Sequence, residues 1–205
     1  MKPKFWNKGK LYLSNKDKVL KSIISVYPNE YLLINNNYFH CLLNSVIGQQ
    51  ISVKAASSIK RRFFLLKKNI NPINIFSIKT KSFREVGLSK QKISYINNIA
   101  KFFAQNKKFI RNINNYNEVK IKEKLISIKG VGEWTVDMFL IFGLGKLNVF
   151  PTRDLGFLKA ISIAYKKKLP HTEKYLELLY NKWTPYNTIA TWYLWRSLDP
   201  LPVNY

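Results

Sequence analysis

Apolar positions recur three and four residues apart along most of the chain, and alternating runs are few, so the pattern predicts helices rather than strands. Leu43, Val46 and Ile47 begin one such face. Ile93, Ile96, Ala100 and Phe103 make another behind a cap at Ser89, and Ile121, Leu125 and Ile128 a third. Thr172 is placed to cap a helix carrying Leu176, Leu179 and Trp183. Asn-rich breaks at 35–37, 69–74 and 112–118 separate these segments without making a long linker. The expectation is an all-α chain of about eight to ten short helices, with "KLYL" near the start as the one stretch able to pair as a strand.

Composition adds a partner. The chain has 205 residues, 46% hydrophobic and 15% aromatic, ample for a folded core. Its net charge is +24, from 35 Lys+Arg against 11 Asp+Glu. A charge of that size favours a polyanion, nucleic acid foremost, although the Lys-, Ile- and Asn-heavy composition also fits AT-rich coding bias. The single cysteine, Cys41, excludes an intramolecular disulfide, a four-cysteine zinc site and a four-cysteine iron–sulfur cluster. A reducing cytoplasm suits it. The N-terminal "MKPKFWNKGKLYLSNKDKVL" lacks the apolar run of a secretory signal, and no window reaches the length of a membrane span.

The stretch "LISIKGVGEWTVDM", Leu125 to Met138, is the most specific signal. Gly130 and Gly132 flank Val131 between two helical patterns, which describes a tight corner where a residue takes φ > 0 and backbone approaches something closely. The helix beginning near Glu133 would point unpaired N–H groups at that place, and such groups suit a phosphate oxygen. By residues alone, a Gly-x-Gly turn between helices is equally an ordinary connection.

The stretch resembles the helix-hairpin-helix motif. The following "LNVFPTRDLGFLKA" puts Asp154, 22 residues after Gly132, where the helix-hairpin-helix DNA glycosylase superfamily keeps its catalytic carboxylate. "SVIGQQISVKAA", "GLSKQKISYINNIA" and "WRSLDPLPV" also resemble the alkylbase branch of that superfamily, the 3-methyladenine DNA glycosylase II type. The resemblance implies a compact multi-helix module with two helical subdomains around a cleft. It would occupy 38–205 with its hairpin at about 121–143, and 1–37 would be a short N-terminal segment packed on it.

The implied activity is flipping an alkylated nucleotide out of duplex DNA and hydrolysing its N-glycosidic bond, with 3-methyladenine and 7-methylguanine as substrate types. Asp154 is the implied catalytic residue; by placement alone it reads as a plain cap of the helix in "DLGFLKAI". In strand-nicking relatives the position two residues after the second hairpin glycine holds a Schiff-base lysine. Here that position is Trp134, which implies a monofunctional enzyme without lyase activity. Trp134, Met138 and Ile141 share one helical face by spacing. Trp134 and Trp195 are the implied stacking walls for the base. Met138 stands where relatives carry an aromatic, and Ile141, Trp183, Trp192 and Tyr193 read as core.

On the DNA side, the resemblance makes Gln50 the side chain that fills the gap left by the flipped nucleotide, with Gln49 beside it; by residues alone both are solvated surface. Lys129, Gly130, Val131 and Gly132 would contact DNA phosphate, and main-chain carbonyls of Ile126, Ile128 and Val131 would hold a structural monovalent cation. Lys129 stands where relatives often have proline. The runs "KAASSIKRRFFLLKK" and "GLSKQK" offer further cations for the DNA face. His40 and His171 lie in no ligand pattern. No cofactor is required for this chemistry and no iron–sulfur cluster is expected. The expected partner is double-stranded DNA containing damaged bases, bound by a cytoplasmic monomer with no membrane contact. The rival readings are a noncatalytic hairpin DNA-binding protein and a glycosylase for deaminated or mismatched bases.

Overall fold

A computed structural model describes residues 1–199. Among these residues are twelve α-helices and two short 3₁₀ turns, with no strand. The chain is thus all-α, with more helices than the periodicity count of eight to ten. The excess lies in α5 (Thr80–Glu85) and α7 (Lys107–Arg111), of six and five residues, too short to show a period. "KLYL" forms no strand but lies inside α1 (Trp6–Lys16), where Trp6, Gly9 and Leu13 bury one helical face and Leu11 faces solvent.

The described residues divide into two units: 36–139, and 1–35 together with 140–199. The first contains α3 (Tyr38–Gly48), α4 (Val53–Leu65), α5, α6 (Lys90–Gln105), α7 and α8 (Glu118–Ile126). The division falls within α9 (Glu133–Phe142). In this central unit α3 packs on α4 and α6. Residues 41–47 of α3 are buried without a break, which an apolar helix at the middle of a core requires.

The terminal unit contains α1, α2 (Lys18–Val26), α10 (Leu155–Ala164), α11 (Glu173–Trp183) and α12 (Asn187–Leu198). α12 packs against α1, α2, α10 and α11, and residues 187–196 of it are all buried. Trp183, Trp192 and Tyr193 lie in this core, as their sequence context implies. Asp17 is the polar hub. Its carboxylate caps α2 through the N–H groups of Val19 and Leu20 at 2.9 and 3.2 Å. It also accepts from Tyr165 Oη (2.8 Å) and Trp183 Nε1 (3.0 Å), and pairs with Lys182 Nζ at 2.8 Å.

Side-chain oxygens start most of the helices. Ser89 accepts from the N–H of Lys92, and Thr172 from that of Tyr175, as their sequence positions predict. The Asn-rich breaks serve the same end: Asn37 caps α3 and Asn117 caps α8. Asparagine there is helix initiation chemistry, since its short amide competes well for backbone N–H.

Candidate functional site

In the terminal unit Asp154 is the N-cap of α10, with extended backbone at φ −88° and ψ 111°. Its Oδ1 accepts from the N–H of Phe157 at 2.5 Å and from Trp195 Nε1 at 2.9 Å. The carboxylate therefore sits at the positive end of the α10 dipole, and an indole on α12 fixes its orientation. The approach to it is pinned as well. Val149 N–H donates to Thr188 Oγ1 on α12 at 3.0 Å, and Asp154 N–H turns back to the Pro151 carbonyl at 2.9 Å. Trp195 is 7% exposed and stacks on Phe142, with centroids 5.9 Å apart and planes 14° apart.

Gly156 is part of this arrangement. A Cβ there would lie 3.2 Å from Asp154 Oδ1 and 3.8 Å from the Trp195 indole. The absence of a side chain leaves the carboxylate–indole pair its room. Leu155, between Asp154 and Gly156, is 81% exposed, and Arg153 is exposed on the other side.

In the central unit the stretch Leu125 to Met138 forms the hairpin. α8 ends at Ile126 and α9 starts at Glu133. Ile128 N–H bonds back to the Leu125 carbonyl at 3.1 Å, and Val131 N–H to the Ile128 carbonyl at 2.9 Å. Gly130 has φ +102°, the positive value its position predicts, and a Cβ there would strike the Tyr95 ring of α6. Gly132 has open space around it and is exposed, as is Lys129.

Trp134 is half-buried in the first turn of α9; Met138 is 1% exposed one turn on, and Ile141 is fully buried as core. Asp137, on the same helix, pairs with Lys122 of α8 at 3.5 Å. Gln49 ends α3, and its Nε2 donates to the Gly130 carbonyl at 3.0 Å and to Thr135 Oγ1 at 2.9 Å. Gln50 is exposed, with φ +58°.

The sequence-predicted residues thus fall into two groups, one in each unit. Asp154 and Trp195 are bonded to each other, and Gln49 is bonded to the hairpin. Pro200 to Val203, the end of the "WRSLDPLPV" block, lie outside the described residues. Three features escaped the sequence reading: the Trp195–Asp154 bond, the role of Gly156, and the contacts of α6 with the hairpin. The last left a trace, since Lys92, Tyr95 and Asn98 lie three apart on one helical face.

The basic runs resolve into different uses. Lys54, Lys68 and Lys90 are exposed, whereas Arg62 bonds the Val86 carbonyl and Lys60 is partly buried. Burial pushes the Lys60 pKa down to about 8, against a smaller opposing effect of nearby Cys41. His40 and His171 each bond a backbone carbonyl, of Ile70 and Leu158. Among the described residues no cluster of three or more His, Cys, Asp or Glu could hold a metal ion, and no helix is long and apolar enough to cross a membrane.

The sequence profile described as "HhH-GPD superfamily base excision DNA repair protein" matches residues 43–185. A Bacillus subtilis relative is 27% identical over 88% of this chain, which spans 66% of that relative's length. DNA-3-methyladenine glycosylase 1 of Schizosaccharomyces pombe is 28% identical over 93% of this chain and 86% of its own. The solved structure of the S. pombe 3-methyladenine DNA glycosylase in complex with abasic DNA matches with a TM-score of 0.81 over 93% of this chain and 96% of that one, at 27% identity.

Proposed function

The chain belongs to the HhH-GPD superfamily of base excision DNA repair proteins, and we propose that it is a monofunctional glycosylase that hydrolytically excises alkylated bases, of the 3-methyladenine and 7-methylguanine type, from double-stranded DNA. The observation that carries this reading is the Asp154 carboxylate, held at a helix N-terminus by the Trp195 indole.

A base alkylated at N3 or N7 is cationic. When its bond to C1′ breaks, the bonding pair leaves with the base, which departs neutral, and the sugar becomes oxocarbenium-like. Asp154 stabilises that charge. It also orients a water whose oxygen bonds C1′ and accepts the proton that water sheds. The products are free base and an abasic site.

Trp134 supplies no amine, so no Schiff base forms and the strand is not cut. Its ring face favours a cationic purine over the neutral one by about 0.5 to 2 kcal/mol. Trp195, besides orienting Asp154, is a base-stacking ring, and Met138, 1% exposed on the helix of Trp134, puts a thioether where an aromatic would stack more tightly. Gln50 fills the gap in the duplex, and Gln49, Lys129, Gly130, Val131 and Gly132 meet the DNA backbone, the two glycines through their N–H groups. The carbonyls of Ile126, Ile128 and Val131 are hard neutral donors suited to a monovalent cation; that of Ile128 keeps a lone pair beyond its bond to Val131. No step of the hydrolysis runs through that cation. The enzyme acts on chromosomal DNA as a cytoplasmic monomer.

The test is product analysis on an alkylated duplex. Alkali-labile abasic sites should accumulate with no strand breaks before alkali, and borohydride should trap no covalent adduct. An efficiently trapped adduct would overturn the monofunctional assignment.

A further inference from the structure

We propose that Lys92 is a positioning residue for base flipping, holding the loop that carries Gln50 against the hairpin through carbonyl bonds rather than meeting a DNA phosphate. The proposal rests on the reading of Gln50 as the gap-filling side chain.

Lys92 lies in the first turn of α6, inside a run whose charge and placement suggest a DNA-facing cation. Its ammonium points the other way. Nζ donates to the carbonyls of Ile47 at 2.7 Å and Gln49 at 2.8 Å. These lie where α3 ends, so a cation meets the negative end of the helix dipole and satisfies carbonyls the helix leaves open. The second carbonyl belongs to the peptide that leads directly into Gln50. Burial lowers the Lys92 pKa, which accords with an ammonium turned in from solvent.

Gln50 takes φ +58° without being glycine. A side-chain-bearing residue stays in the left-handed region only where its surroundings impose it. Three ties do so within the central unit. Lys92 holds the incoming carbonyls, and the Gln49 amide reaches the Gly130 carbonyl and Thr135 Oγ1. The same face of α6 then closes on the hairpin, with the Tyr95 ring under Gly130 and Asn98 Nδ2 donating to the Lys129 carbonyl at 3.0 Å. One helix face thus fixes the element proposed to fill the duplex and the element proposed to grip the phosphate. Two of the three ammonium protons are committed to this bracing, leaving little for a phosphate.

A double-mutant cycle tests this on duplex DNA carrying a fluorescent adenine analogue beside the lesion, whose emission reports flipping. Wild type, Lys92→Met, Lys92→Arg, Gln50→Ala and the Lys92→Met/Gln50→Ala pair are compared, and each is also titrated with undamaged duplex over a salt series. The expected result is flipping lowered about tenfold by Lys92→Met and largely restored by Lys92→Arg. The double variant should be no worse than Gln50→Ala alone, and the salt slope of Lys92→Met unchanged. If Lys92→Met does not fold, Gln49→Ala cuts another tie to the same loop and should show the same loss, again absorbed in Gln50→Ala. Independent, multiplicative losses would overturn the proposal. So would a salt slope shallower by about 0.9, the signature of one lost phosphate contact. Normal flipping by Gln50→Ala itself would instead remove the gap-filling reading on which the proposal stands.

Discussion

Replacing Asp154 with asparagine separates its two roles, because the cap and the charge depend on different properties of the side chain. Asparagine keeps an acceptor oxygen where Oδ1 now receives Phe157 N–H and Trp195 Nε1–H. Asn and Asp are near-equal N-caps, so the helix-dipole part of the change in folding stability is about 0.3–1 kcal/mol. The charge is the larger quantity. A carboxylate about 4 Å from a cationic sugar, at an effective dielectric near 20, contributes about 4 kcal/mol. At about 1.4 kcal/mol per decade that is roughly a thousandfold in rate. Asp154→Ala is the poorer probe. It strands the Phe157 N–H and the largely buried Trp195 N–H and costs about 2–4 kcal/mol of stability, confounding the rate. Single-turnover excision from a duplex with one alkylated base, with melting temperature and duplex affinity measured on the same samples, is the assay. Asp154→Asn should melt within a few degrees of wild type, bind within about threefold and excise about a thousandfold more slowly. A rate within tenfold of wild type at unchanged melting temperature would mean that Asp154 is a cap and nothing more.

Three further substitutions test the surroundings. Gly156→Ala should leave stability level or raised, since alanine favours a helix by about 1 kcal/mol. The new Cβ 3.2 Å from Asp154 Oδ1 should nevertheless slow excision about tenfold; an unchanged single-turnover rate would show that the carboxylate tolerates displacement. Gly130→Ala forces a side chain into φ +102° and onto Tyr95, and should weaken binding to undamaged duplex about tenfold while lowering the melting temperature; intact affinity in a filter-binding titration would detach the hairpin from DNA contact. In Asp17→Asn the lost charge breaks the pair with Lys182, at about 3 kcal/mol and roughly 10 °C in melting temperature near neutral pH. Burial would raise the Asp17 pKa, but bonds from Lys182, Trp183, Tyr165 and the Leu20 N–H outweigh it and hold the group below its ordinary value. The stabilisation is therefore full above the unfolded carboxylate range near 4 and lost as pH falls through the lower folded value. Wild-type and Asp17→Asn melting temperatures should converge below about pH 4, and a constant gap would refute the assignment.

The fold class was legible because helical periodicity survives in single segments. The faces of α3, α6 and α11 and the caps Ser89 and Thr172 all follow from local spacing. α5 and α7 escaped because a one-turn helix has no period to read. "KLYL" left a strand open because three apolar residues behind a lysine fit a strand or a helix equally, and only the spacing of Trp6, Gly9 and Leu13 over a longer window decides for helix. At the site, the glycine corner was legible because positive φ has one cheap residue. The Asp154–Trp195 bond joins residues 41 positions apart and could not be read from spacing. The direction of Lys92 could not be read for a more general reason: charge in a sequence says nothing about direction, and a lysine stem is long enough to turn its ammonium inward onto a helix end.

The most direct measurement of the central claim is the material released when the protein is incubated with methylated double-stranded DNA and the soluble fraction is resolved by chromatography. Free 3-methyladenine and 7-methylguanine should appear, in amounts equal to the abasic sites left in the duplex. Tight binding to the same DNA with no base released, or release confined to duplexes carrying deaminated or mismatched bases, would contradict the account.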